Sequence, residues 1–148
     1  MEQRSMLYLT MGVLFVGICA YIAYNSLLNR SLIPEEKISF LSADCTEQQG
    51  VNGLYWSAQV IIKNDGPSDS VVKKVYIDGY EVVSQQYPPN DNEASASISK
   101  EGGKVSPGET ATINIYIDFG YKNYKTFQRI QVTMETMYQK YSINVVLV

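Results

Sequence analysis

Histidine is absent from the 148 residues of this chain, and cysteine occurs only twice, at Cys19 and Cys45. Without histidine the chain cannot assemble a Ser-His-Asp or Cys-His nucleophile, nor an imidazole-based zinc or copper site. Two cysteines cannot supply a four-thiolate metal centre or a disulfide framework. Positive charge is also scarce: 12 Lys+Arg stand against 15 Asp+Glu, a formal net charge of −3. Nucleic-acid binding needs clustered cations to neutralise phosphates, so no nucleic-acid partner is expected. Gly102-Gly103 has neither the lysine nor the strand-to-helix setting of a phosphate loop. No catalytic residue, metal site or cofactor is expected, and the chain does not read as an enzyme.

Apolar residues, in contrast, are concentrated in one place. Residues 5–29 contain no charge and lie between Arg4 and Arg30. As a helix they reach about 37 Å, against a hydrocarbon core of about 30 Å. Tyr8 falls near one end and Tyr21 and Tyr24 near the other, where interfacial aromatics sit. A cleaved signal would have a shorter apolar region ending in a small-x-small site, a spacing Ala20 and Ala23 do not keep. Ile18 precedes Cys19 where a lipoprotein needs a small residue. The segment is therefore expected to be a retained, transmembrane-type helix over residues 1–30. Its small residues are Gly12, Gly17, Ala20 and Ala23, and the last three share a face that permits close helix packing. The Lys/Arg tally is nearly equal on the two flanks, so charge bias does not orient it. Asn29-Arg30-Ser31 makes Asn29 a glycosylation candidate.

Pro34 opposes helix continuation, and residues 31–36 read as a linker. From residue 37 the apolar period becomes two. Strands are expected over 37–44, over 54–63 with Leu54, Trp56, Ala58, Val60 and Ile62 inward, and over 71–77 and 80–84 about Asp78-Gly79, a type I′ hairpin signal. Residues 85–104 form the longest loop, with one short strand near 94–99. Ser106-Pro107-Gly108-Glu109 is a turn with proline at its first central position. Ile113, Ile115 and Ile117, then Ile130, Val132 and Met134, then Tyr141, Ile143, Val145 and Leu147 continue the alternation. Seven to eight short strands over 37–148 and no helical pattern indicate a mainly β domain, an immunoglobulin-like sandwich, with Trp56 as a core anchor.

The remaining groups suggest little chemistry. Asn90-Asp91-Asn92-Glu93 lacks the ligand spacing of a calcium loop and reads as a solvated tip. Glu35-Glu36 reads as a helix-exit flank. Tyrosine is the one excess, with 12 residues. Alternation places Tyr55, Tyr76 and Tyr116 outward, while Tyr121, Lys122, Tyr124 and Lys125 form an aromatic-basic loop. These five tyrosines are candidates for subunit contacts, because amphipathic aromatics suit burial against a neighbouring protein.

The apolar run over residues 6–28, the Val105-Ser106-Pro107-Gly108-Glu109-Thr110 turn before an Ile-alternating strand, and the closing strands around Val132-Thr133-Met134-Glu135-Thr136 together resemble archaeal type IV pilins and archaellins. The plan is similar to that of the membrane-anchored stator proteins of the archaellum as well. The resemblance implies a surface filament subunit, with helices bundled in the core, sandwiches as the sheath, copies of itself as partners and the membrane as its site before assembly. The stator-type alternative implies a single-pass subunit of a membrane complex with an extracytoplasmic domain. One departure favours that alternative: Met1-Glu2-Gln3-Arg4-Ser5 is polar where a processed pilin begins in its apolar stretch.

Overall fold

The computed structural model describes residues 15–27, 35–51, 53–84 and 91–148. The chain separates into two compact units, Met1–Pro34 and Glu35–Val148. In the first unit, residues 15–27 are helical. Phe15, Val16, Ile18, Tyr21, Ile22, Tyr24 and Leu27 all stand exposed on it. At about 100° per residue these seven positions surround the helix and leave no polar stripe. Among the described residues no helix is long and apolar enough to cross a membrane. Gly12 and Asn29 lie outside the described residues, as do residues 31–34 of the expected linker.

Among the described residues the second unit is a two-sheet sandwich of ten strands: β1 (Ile38–Gln49), β2 (Leu54–Asn64), β3 (Ser70–Ile77), β4 (Tyr80–Glu81), β5 (Val83–Ser84), β6 (Ala94–Ile98), β7 (Lys104–Val105), β8 (Thr110–Asp118), β9 (Arg129–Thr136) and β10 (Lys140–Val146). One sheet runs β1-β2-β8-β6-β5, and the other runs β10-β9-β3-β4 with β7 also on β3. Every pairing is antiparallel except β5 with β6. Alternation decides which side chains meet between the sheets. Trp56, Ala58, Val60 and Ile62 of β2 and Ala111, Ile113, Ile115 and Ile117 of β8 face Val72 and Ile77 of β3 and Ile130, Val132 and Met134 of β9 in one core. Trp56 stacks on Phe119 with ring centroids 4.0 Å apart, as suits a core anchor.

Three local readings need correction. Leu54 is 41% exposed, because it starts β2 at the sheet end, beyond the cover of the facing sheet. The expected strand over 80–84 is broken at Val82. Asp78 (φ 48°) and Gly79 (φ 85°) make the expected hairpin, but Val82 turns its side chain into the core and residues 83–84 cross to pair with β6 in the other sheet. The expected linker end is also part of the sandwich, since Glu36 is buried.

Polar side chains fix the end where the chain enters. Asn64 is fully buried; its Nδ2 donates to Ser68 O (2.7 Å) and Val105 O (2.8 Å), and its Oδ1 accepts from Gly66 N (2.9 Å). The Glu109 amide donates to Ser106 O (3.0 Å), with Pro107 and then Gly108 (φ 79°) at the centre, a type II turn. Gly103 (φ 72°) lies against the bulge of β3 near Val72, where an added Cβ would come 2.3 Å from Val72 O. Gly103→Ala is therefore expected to lower the unfolding free energy in urea by about 2 kcal/mol or more. Gly79→Ala meets open space and should cost only about 1 kcal/mol; equal losses would contradict this assignment.

Candidate functional site

The strand pairings gather five segments at the end of the sandwich opposite Glu35. Gln49 pairs with Leu54 and Tyr55 with Asp118, so the β1–β2 turn adjoins the end of β8. Ile77 pairs with Val132, and Val146 with Arg129, so the β3–β4 turn and the chain's last residues lie beside the start of β9. The Asp118 amide donates to Glu93 O (3.0 Å), which adds the turn at 91–93. All five non-glycine residues with positive φ occur here among the described residues: Asp78, Asn92, Lys122, Asn123 and Phe127. Each such conformation costs on the order of 1–3 kcal/mol and persists only where surrounding contacts enforce it.

Those contacts can be named. Asp118 Oδ1 accepts from Asn92 N (2.9 Å) and Gly120 N (2.8 Å). Asp78 Oδ1 accepts from Gln131 N (2.7 Å). The Phe127 amide donates to Leu147 O (2.6 Å), and Lys125 N donates to Gln128 Oε1 (3.0 Å). The result is a β8–β9 loop, residues 119–128, whose aromatic and cationic side chains are set in place. Tyr121 and Tyr124 meet edge to face at 5.8 Å, and Lys122 Nζ lies 3.9 Å from the centre of the exposed Tyr80 ring. Phe127 is 78% exposed and Val51, at the β1–β2 turn, is 94% exposed.

The sequence-selected tyrosines divide among three settings. Tyr121, half-buried, and Tyr124, buried, come together in this loop. Tyr76 lies on the outer face of the second sheet, where its hydroxyl donates to Glu135 Oε2 (2.8 Å) and Lys140 sits over its ring. Tyr116 is half-buried on the outer face of the first sheet. Its expected outward neighbour Tyr55 is buried, a correction to the alternation: Gly50 of the preceding turn lies close against its ring, and Tyr116 meets that ring edge-on at 6.1 Å. Gly17, Ala20 and Ala23 lie on the described helix, all exposed. Cys19 and Cys45 are both free thiols, and burial pushes the Cys45 thiol up. Among the described residues no group of three or more Cys, Asp and Glu side chains is placed to hold a metal.

Sequence reasoning missed two features. Phe127 and Tyr80 carry no local signal of their exposure. Glu36 reads as a flank, yet both carboxylate oxygens are engaged, one by Ser70 Oγ and the other by Thr136 Oγ1. Its carbonyl accepts from Gln139 Nε2 and Tyr141 OH (3.3 Å each). These four contacts tie the entering chain to β3, β9 and β10. No protein-family model matches the chain, and no curated protein matches it either.

Two outcomes follow from this geometry. Glu36→Ala leaves the buried Ser70 hydroxyl without its acceptor, while Thr136 Oγ1 keeps Gln139 O (3.0 Å), and should lower stability by about 1–3 kcal/mol in urea denaturation, with Glu36→Gln in between. A wild-type midpoint for Glu36→Ala would contradict the clamp. The Tyr124 hydroxyl lies in no hydrogen-bond geometry, yet burial and then the nearby Asp78 carboxylate raise its pKa above the ordinary 10.0. Its contribution to stability is thus full below pH 10.0 and is lost as pH rises, because the unfolded phenol ionises first. Phenolate absorbance during alkaline titration should lose in Tyr124→Phe a component that ionises above the ordinary tyrosine range, and the same substitution should flatten the alkaline loss of stability.

Proposed function

We propose that this chain is a structural subunit of an extracellular, cell-surface filament of the pilus or archaellum kind, with the helices of many copies bundled at its centre and the sandwiches around them. The observation that carries this reading is the described helix, whose exposed apolar side chains surround it on every side. Such a surface is not stable in water and must be covered by lipid or by other helices. The charge-free run of residues 5–29 supplies enough length for residues 1–30 to span a bilayer before assembly. Assembly then exchanges lipid for helix contacts, and Gly17, Ala20 and Ala23 form the face where backbones can approach.

The immunoglobulin-like reading of the sandwich is supported by its strand order. β1-β2-β8-β6 against β10-β9-β3-β4 corresponds to the A-B-E-D and G-F-C-C′ arrangement of that fold. The resemblance to archaeal pilins and archaellins points to the same plan. The plan is similar to that of membrane-anchored archaellum stator proteins as well, which gives a second reading, a single-pass accessory or stator subunit with an extracytoplasmic sandwich.

Gly17 gives the test. A Cβ there meets nothing within 4 Å, so its own helix does not require the glycine. Gly17→Leu is expected to abolish filaments in electron micrographs of cells while the sandwich keeps its wild-type denaturation midpoint. Filaments of normal number and length from this variant would overturn the reading.

A further inference from the structure

The turns of the sandwich differ in what they carry at their tips. Chain reversals are usually built from Gly, Asn, Asp, Ser and Pro. The β3–β4 turn has Asp78-Gly79 and the β7–β8 turn has Pro107-Gly108. The β9–β10 turn has Met137 and Tyr138 instead, adjacent in sequence and 58% and 48% exposed. Hydrogen bonds hold this turn in shape. The Thr136 amide donates to Gln139 O (2.9 Å), and Thr136 Oγ1 accepts from Tyr138 N (3.3 Å) and Gln139 N (3.1 Å). A thioether and a phenol held outward there add little to the core of their own domain. Both suit a boundary between water and an apolar phase.

The turn stands where the chain enters the sandwich. Glu36 receives Thr136 Oγ1 on its carboxylate, and Gln139 Nε2 and Tyr141 OH on its carbonyl. Arg30 ends the charge-free run and lies six residues before Glu36. Even fully extended, that stretch reaches only about 22 Å. A helical run of about 37 Å exceeds a hydrocarbon core of about 30 Å, so a run that spans a bilayer ends in the headgroup layer. Covalent length therefore keeps the entry end of the sandwich close to that layer. Strand β2, with 11 residues, puts Val51 and Phe127 about 36 Å farther from the point of entry. Charge at the entry end is mostly paired. Asp65 meets Lys63, Asp69 meets Lys104, Glu109 meets Lys100 and Glu135 meets Lys140. Glu35 and Lys37, on the entering segment, are of opposite sign.

We infer that the β9–β10 turn docks on the lipid surface, with Met137 and Tyr138 entering the headgroup layer of the bilayer that holds residues 1–30 before assembly. This inference rests on the membrane-held state that the filament and single-pass readings share, and it adds a second contact with the same bilayer. Two side chains alone would hold a free domain on a membrane only weakly. Here the short tether keeps the turn at a high effective concentration beside the surface, so a weak contact suffices. The hydrogen-bonded turn also needs little further ordering on docking.

The test uses the full-length chain in phosphatidylcholine vesicles that contain a lipid with a nitroxide on its headgroup, which quenches nearby tryptophan. Trp56, the one native tryptophan, is buried in the core and serves as the internal reference. Tyr138→Trp is expected to lose most of its added emission to the nitroxide lipid. Phe127→Trp, at the opposite end, is expected to keep its own. M137D/Y138W should recover the emission while the chain stays in the vesicles, because a carboxylate opposes entry into the headgroup layer. Equal quenching at positions 127 and 138, or quenching in M137D/Y138W as strong as in Tyr138→Trp, would overturn the inference, since the tether alone would then account for it. So would a blue-shifted Tyr138→Trp emission that the nitroxide leaves unchanged and that returns to its value in water on dilution, which would assign the turn to a second copy. A chain that alkaline washing strips from the vesicles would remove the membrane-held state, and this inference with it. Quenching as expected, from a chain that makes no filaments on cells, would leave the docking standing on the single-pass reading.

Discussion

Apolar surface has to leave water, and the two units of this chain meet that requirement in opposite ways. In the sandwich, period-two alternation gives each strand one apolar face, and two sheets close over those faces to bury Trp56, Ile113, Ile115, Ile117, Ile130 and Met134 within a single domain. At about 25 cal/mol per Å² of apolar area, that burial is the main force holding the strands together. In the helix, the apolar residues surround the axis, and no single neighbour could cover them all. The sandwich is complete as one copy, whereas the helix needs an environment. The proposed function follows from that difference.

The two ends of the sandwich are built differently. Where the chain enters, buried polar groups act as fasteners: Asn64 ties β2 to the turn at Ser68 and to β7, and Glu36 ties the entering chain to β3, β9 and β10. A buried carboxylate is tolerated there because each oxygen receives a hydroxyl donor. At the far end, backbone strain is concentrated and side chains are displayed: Phe127, Val51 and Tyr80 face solvent on turns held by Asp78 and Asp118.

The strand framework was legible in the sequence because alternation is a local property. The inward residues of β2, β8 and β9, the Asp78-Gly79 hairpin and the Ser106–Glu109 turn follow from neighbours a few positions apart. What was not legible depends on residues far apart. Glu36 meets Thr136 a hundred positions later, and nothing near Glu36 announces this. Tyr55 occupies an outward position, yet Gly50 of the preceding turn of its own hairpin and Tyr116 of β8 enclose it. Val82 looks like the middle of a strand until the core draws its side chain in and sends the next residues to the other sheet. The aromatic-basic loop was visible as composition, whereas its pairing of Lys122 with Tyr80 and the exposure of Phe127 arise only when β4, β8 and β9 meet at one end.

The account turns on what covers the helix. The most direct measurement is a cryo-electron microscopy reconstruction of the native assembly purified from the cell surface, read for the radial position of residues 15–27. The account predicts a helical fibre with these helices packed against one another on its axis, their Gly17 faces in contact and the sandwiches outside. A discrete membrane particle in which the helix stands alone against lipid would contradict it.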